Sequence, residues 1–76
     1  MERIQSVFAE VFQCDPATVT ASSSPDQVEG WDSFGHLALV EALQSEFKVT
    51  FETEDIAQLD SVAQIQRILA LRGAQT

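Results

Sequence analysis

Within GWDSFGHL, residues 30–37, an aspartate, a serine and a histidine stand at positions 32, 33 and 36. Three chemistries could use them. A Ser-His-Asp hydrolase needs the imidazole between the other two, with the carboxylate orienting the nitrogen remote from the serine. Ser33 and His36, three apart on a helix, could touch, but Asp32 adjoins Ser33 and is poorly placed to orient the far nitrogen. The surrounding residues also lack the Gly-x-Ser-x-Gly pattern of a nucleophile elbow. His36 therefore reads as a partly buried helix residue. A metal site fares no better, because ETEDIAQLD, residues 52–60, lacks the central glycine and alternating oxygen donors of a calcium loop. The third chemistry is esterification. A serine at a helix mouth, where unpaired amides and the helix dipole favour an anion, can carry a phosphate-linked group.

Elements that could position such a serine follow from hydrophobic spacing. Ile4, Val7, Phe8, Val11 and Phe12 recur at helical intervals and predict a first helix over residues 2–14, with Cys14 as a small hydrophobe at its end. Residues 15–31, DPATVTASSSPDQVEGW, form a long connection anchored by Val19 and Val28, in which Ser22, Ser23 and Ser24 read as solvated loop. A second helix starts with Asp32 or Ser33 as N-cap and ends near Phe47. Leu39, Val40, Leu43 and Phe47 share its inward stripe, with His36 on that side, while Phe34, Leu37, Ala38, Glu41 and Gln44 fall on the other. Val49 and Phe51 alternate with polar residues as an extended anchor. Thr53 then caps a short third helix whose Ile56 and Leu59 point inward, and acid at Glu52, Glu54 and Asp55 complements its dipole. Ser61 and Gln64 read as a capping box for a fourth helix with stripe Val62, Ile65, Ile68 and Leu69, stopped at Arg72 and Gly73. The fold class is all-α, a four-helix bundle with three longer helices, one short one and a long first loop.

Composition narrows the functional classes. The chain has 76 residues, one domain over 1–76, with twelve acidic against four basic residues and a net charge of −8. That balance argues against nucleic-acid binding and favours basic protein partners. A 45% hydrophobic content is too high for an acidic disordered tail. No apolar run reaches the roughly eighteen residues of a membrane span, and the N-terminal pattern fits neither a signal nor a transit peptide. One cysteine, Cys14, permits no intramolecular disulfide and no cysteine-pair metal site. A monomer in a reducing cytoplasm is the expectation. Phe34 and Leu37, off the core stripe and bordered by Asp32, Glu41 and Glu46, form a small apolar patch with an acidic rim, as a transient docking surface does. Acid on such a rim steers basic enzymes toward it.

The order of helices, the long first loop and DSF at positions 32–34 resemble the acyl carrier protein family over nearly the whole length, DSF being a form of its Asp-Ser-Leu attachment motif. VEALQSEF, residues 40–47, and the inward Val49, Phe51, Leu59 and Val62 add to the likeness. The resemblance implies a carrier, not an enzyme: Ser33, flanked by Asp32, would hold 4′-phosphopantetheine taken from coenzyme A by a phosphopantetheinyl transferase. The arm's thiol would hold acyl or aminoacyl cargo as a thioester for acyl-loading and acyl-using enzymes with basic docking surfaces. A long apolar cargo would gain by entering between helices, at about 0.8 kcal/mol per buried CH₂, with Leu39, Val40, Leu43, Phe51, Ile56, Leu59 and Ile65 as the implied lining. Helix 2 departs from carriers of bulk fatty-acid synthesis at Gly35, Ala38, Gln44 and Ser45, often charged or polar there, and Lys48 replaces a common glycine. The wording GWDSFGHL looks more like stand-alone carriers of specialised pathways, aminoacyl or polyketide types included. The competing reading is an unmodified acidic helical interaction module in which Ser33 is only an N-cap.

Overall fold

Four α-helices in chain order carry the structure, a computed structural model describing residues 1–74: α1 (Glu2–Phe12), α2 (Ser33–Phe47), α3 (Thr53–Gln58) and α4 (Val62–Leu71). A single 3₁₀ turn, Pro16–Thr18, interrupts the long connection between α1 and α2, with Asp15 capping the Ala17 N–H at 2.9 Å. The expected bundle is what the chain forms. Ile4, Val7 and Phe8 of α1, the stripe Leu39, Val40, Leu43 and Phe47 of α2, and Val62, Ile65, Ile68 and Leu69 of α4 are all buried in one cluster with Phe51 and Leu59. Each of these helices spaces buried apolar residues turn by turn, so that a stripe from each reaches the shared cluster. Val11, Phe12 and Ile56 are only half-buried at the edge of that cluster.

Helix ends differ from the sequence expectation in instructive ways. α1 stops before Cys14, because Gln13 adopts the left-handed conformation, φ 55° and ψ 44°, and turns the chain out of the helix. The half-buried Cys14 thiol then donates to the Phe8 carbonyl at 3.7 Å. The cap of α3 is Glu52, one residue earlier than Thr53; Asp55 reaches back to accept the Glu52 N–H at 2.9 Å. Ser61 caps α4 through the Gln64 N–H at 3.2 Å, but Gln64 does not reciprocate, since its Oε1 accepts from Arg67 Nε at 2.8 Å. Arg72 pairs with Asp55 at 2.6 Å and ties the end of α4 to α3.

The long loop is a structural member. Val62 N–H donates to the Ser23 carbonyl at 3.0 Å and Ala63 N–H to the Ala21 carbonyl at 2.9 Å, so the loop satisfies first-turn donors of α4 that its own helix cannot. Ser23 is buried, with its hydroxyl accepting the Thr20 N–H at 2.9 Å, which corrects the reading of Ser22–Ser24 as plain solvated loop. On the other flank, Gln5 Nε2 donates to the Val19 carbonyl at 2.9 Å and holds the buried Val19 against α1. The last loop residue, Trp31, is buried edge-on to Phe8, ring centroids 5.2 Å apart at 79°. That geometry suits two aromatic quadrupoles and pins the loop where α2 begins.

Candidate functional site

At the mouth of α2 the two candidate caps divide their labour. Asp32, in extended conformation, is the N-cap, and its carboxylate accepts the Gly35 N–H at 3.0 Å. Ser33 is the first helical residue, exposed, and its hydroxyl makes no hydrogen bond among the described residues. Because Asp32 claims only the Gly35 amide, the Ser33 and Phe34 N–H groups of the first turn are left unclaimed among those residues. An anion attached to Ser33 would meet the positive end of a fifteen-residue helix.

The first turn is positioned by close backbone contact. A Cβ on Gly35 would lie 1.9 Å from the Gly30 carbonyl oxygen and 2.8 Å from Phe12 Cε1, so only glycine lets the loop press against the helix here. Gly30 itself has φ +92°, a conformation other residues rarely adopt. Gly30, Gly35 and Trp31 are thus the positioning residues that periodicity did not reveal; the GW dipeptide just before the cap was their one signal.

His36 belongs to this scaffold and not to a catalytic relay. Its Nδ1 accepts the Trp31 indole N–H at 2.9 Å, and its Nε2 lies 2.9 Å from the Ile56 carbonyl, so the ring donates there as the Nε2–H tautomer. Both nitrogens are taken, and neither partner is Ser33 or Asp32. A Ser-His-Asp triad is therefore not assembled. Among the described residues no group of His, Cys, Asp and Glu could hold a metal ion, and no helix is long and apolar enough to cross a membrane.

Phe34 and Leu37 project outward as their positions on α2 require, 87% and 59% exposed, with Glu41 exposed on the same side. Glu46 does not border them. Nine positions beyond Leu37, at about 100° per residue, it emerges on the opposite flank, where Arg3 donates to its carboxylate at 3.0 Å and stacks over the Phe47 ring at 4.4 Å. Gln44 also turns away from the outer face, its Oε1 accepting the Phe51 N–H at 2.8 Å. Of the seven residues implied as cargo lining, Leu39, Val40, Leu43, Phe51, Leu59 and Ile65 are buried in the shared core and Ile56 is half-buried. A cavity of about 630 Å³ opens elsewhere, between the end of α1 and the long loop, lined by residues that include Phe12, Cys14, Val19, Thr20, Gln27 and Val28.

Known proteins share this arrangement. The family model described as phosphopantetheine attachment site matches residues 2–69. Acyl carrier protein 3 of Ralstonia nicotianae is 30% identical over 80 residues, spanning all of this chain and 92% of that protein. Among solved structures, the holo acyl carrier protein from Geobacter metallireducens superposes with a TM-score of 0.81 over 95% of this chain and 86% of its own, at 23% identity, which speaks to the fold. A helical bundle with a capped, solvent-facing first turn on α2, matched by that family model along nearly its whole length, leaves one assignment: the chain belongs to the acyl carrier protein family, whose members hold cargo on covalently attached 4′-phosphopantetheine.

Proposed function

We propose that Ser33 is the residue of this chain that carries the arm, and that the face beside it, Phe34, Leu37 and Glu41, docks the enzymes that load and use the cargo. One observation supports Ser33 above all: Asp32 does the capping, so the serine has no structural duty and its hydroxyl is exposed. The alternative of an unmodified module, in which Ser33 serves only as N-cap, loses its rationale for the same reason.

The residues present suit the group. Ser33 Oγ, open to a transferase, is the ester oxygen: it attacks the pyrophosphate of coenzyme A, the new Oγ–phosphorus bond replaces the bond to adenosine 3′,5′-bisphosphate, which leaves, and the hydroxyl proton goes to a base on that enzyme, since His36 is engaged on both nitrogens. The unclaimed Ser33 and Phe34 amides, at the positive end of α2, are donors that a phosphate on Ser33 could use. Asp32 fixes the first turn through Gly35, which holds Ser33 at the end of the helix and out of the loop. When attached, the arm supplies a terminal thiol that holds acyl or aminoacyl cargo as a thioester. Phosphodiester formation adds about one negative charge to a chain already at −8, in keeping with basic partner surfaces. The chain works as a diffusing monomer in the cytoplasm, with no catalytic step of its own.

Incubation with coenzyme A and a broad-range phosphopantetheinyl transferase tests the assignment by intact mass. Wild type gains one phosphopantetheine and Ser33→Ala gains none. Because Asp32 keeps the cap, the variant folds as wild type does, so its failure to load is not a folding effect. Equal gain in both proteins would refute the role of Ser33.

A further inference from the structure

A polar staple underlies the first turn of α2. With Asp32 as N-cap, Trp31 is the residue before the cap and His36 the fourth of the helix, the two positions that a hydrophobic staple joins to fix the angle at which a chain enters a helix. Here a hydrogen bond makes the join. The Trp31 indole N–H reaches His36 Nδ1 at 2.9 Å, with the two ring planes 10° apart, and the bond closes a loop over residues 31–36 that contains Ser33. The reciprocal half of a capping box is missing. Gly35 stands at the third helical position, where a Glu or Gln would reach back to the cap, and the Asp32 N–H turns instead to the Gly30 carbonyl at 2.9 Å.

Each end of the staple is held from a different helix. Trp31 is buried with its ring edge-on to Phe8 of α1, and a buried indole N–H requires an acceptor. His36 Nδ1 accepts only while the ring proton sits on Nε2. The Ile56 carbonyl of α3, 2.9 Å from Nε2, keeps it there, since the partner of one ring nitrogen sets the role of the other. α1 thus fixes the donor and α3 the acceptor, and both act on the turn that bears Ser33.

We propose that His36 is a positioning residue for the transfer of phosphopantetheine to Ser33: by stapling Trp31 it sets the entry angle of α2, and with it the direction in which Ser33 Oγ meets the pyrophosphate of coenzyme A. The proposal rests on Ser33 as the attachment point. In the transfer the Oγ–phosphorus bond forms, the bond to adenosine 3′,5′-bisphosphate breaks and the hydroxyl proton goes to the transferase, so no step draws on the imidazole itself. His36 supplies aim. A nucleophile displaced by about 1 Å can lose about a hundredfold in rate, which is the sensitivity such a staple guards. Phe34, Leu37 and Glu41 stand exposed on the outer side of α2, so loss of the staple bears on turnover and not on docking.

Steady-state loading by a broad-range phosphopantetheinyl transferase, followed by intact mass on variants shown by circular dichroism to be folded, provides the test. His36→Phe keeps an aromatic ring at the staple and loses both hydrogen bonds; kcat is expected to fall about tenfold or more, while KM for the carrier stays within about twofold of wild type. His36→Gln restores the rate. Its amide offers an acceptor to Trp31 and a donor to Ile56, and kcat returns to within about threefold of wild type. Trp31→Phe, which removes the donor alone, falls as far as His36→Phe, and the double variant falls no further, as expected of two partners in one bond. A wild-type kcat in folded His36→Phe or Trp31→Phe, a loss confined to KM, or a Gln variant no faster than the Phe variant would overturn the proposal while leaving Ser33 as the attachment site. Should His36→Phe not fold, Trp31→Phe decides by the same measure. A wild-type protein that takes up no arm at Ser33 removes both readings.

Discussion

A serine next to an aspartate leaves two residues eligible for one cap, and only tertiary placement decides between them. The extended conformation of Asp32 and its bond to the Gly35 amide settle that division and free Ser33. From sequence, both Ser33 and the cap were legible as a pair, because helix starts are marked by residue type. Gly35 was not legible in the same way: it reads as a poor helix former until the Gly30 carbonyl is seen where its Cβ would be. Gly35→Ala tests that contact. Helix propensity alone would favour alanine by about 1 kcal/mol, yet the overlap with backbone predicts a net loss of about 1–3 kcal/mol in urea unfolding. A more stable variant would mean that the loop yields freely and does not position the first turn.

Each helix was readable as far as its own periodicity carried, and unreadable where a partner from another element sets the outcome. The buried stripes of α1, α2 and α4 follow from spacing within each segment. Gln44 departs from expectation because the Phe51 amide, beyond the end of α2, claims its Oε1, whereas Glu46 follows the period of α2 itself to the opposite flank, where Arg3 pairs with it. Ser23 departs because the loop serves as the cap of α4. The α3–α4 junction yields a pH prediction. Asp55 is held below the ordinary aspartate value of 3.8, chiefly by the Glu52 N–H bond and also by the Arg72 guanidinium, with partial burial opposing. A carboxyl whose folded value is depressed adds stability at neutral pH that is lost as pH falls through that folded value. Thermal melts of wild type and Asp55→Asn should therefore differ at neutral pH and converge as pH drops below 3.8. A gap unchanged by acid would show that the charge of Asp55 contributes nothing.

At the scale of the whole molecule, one 27 × 24 × 20 Å body presents an acidic surface and exposes large apolar side chains beside its candidate attachment serine. α2 is apolar on two sides because it serves two masters, the core through Leu39 and Leu43 and the solvent face through Phe34 and Leu37. Substitutions on those sides should separate. Leu37→Ala and Glu41→Lys leave stability within about 0.5 kcal/mol, as at other surface sites, and weaken docking to loading enzymes. Leu43→Ala costs about 2–5 kcal/mol as a core truncation. Calorimetry paired with loading rates checks both, and comparable losses of melting temperature would place the docking face elsewhere. The measurement that bears most directly on the whole account is fragmentation mass spectrometry of the protein isolated from its own cells. Phosphopantetheine, with or without cargo, localised to Ser33 is the predicted result; a bare Ser33, or the arm on another serine such as Ser22 or Ser61, would contradict it.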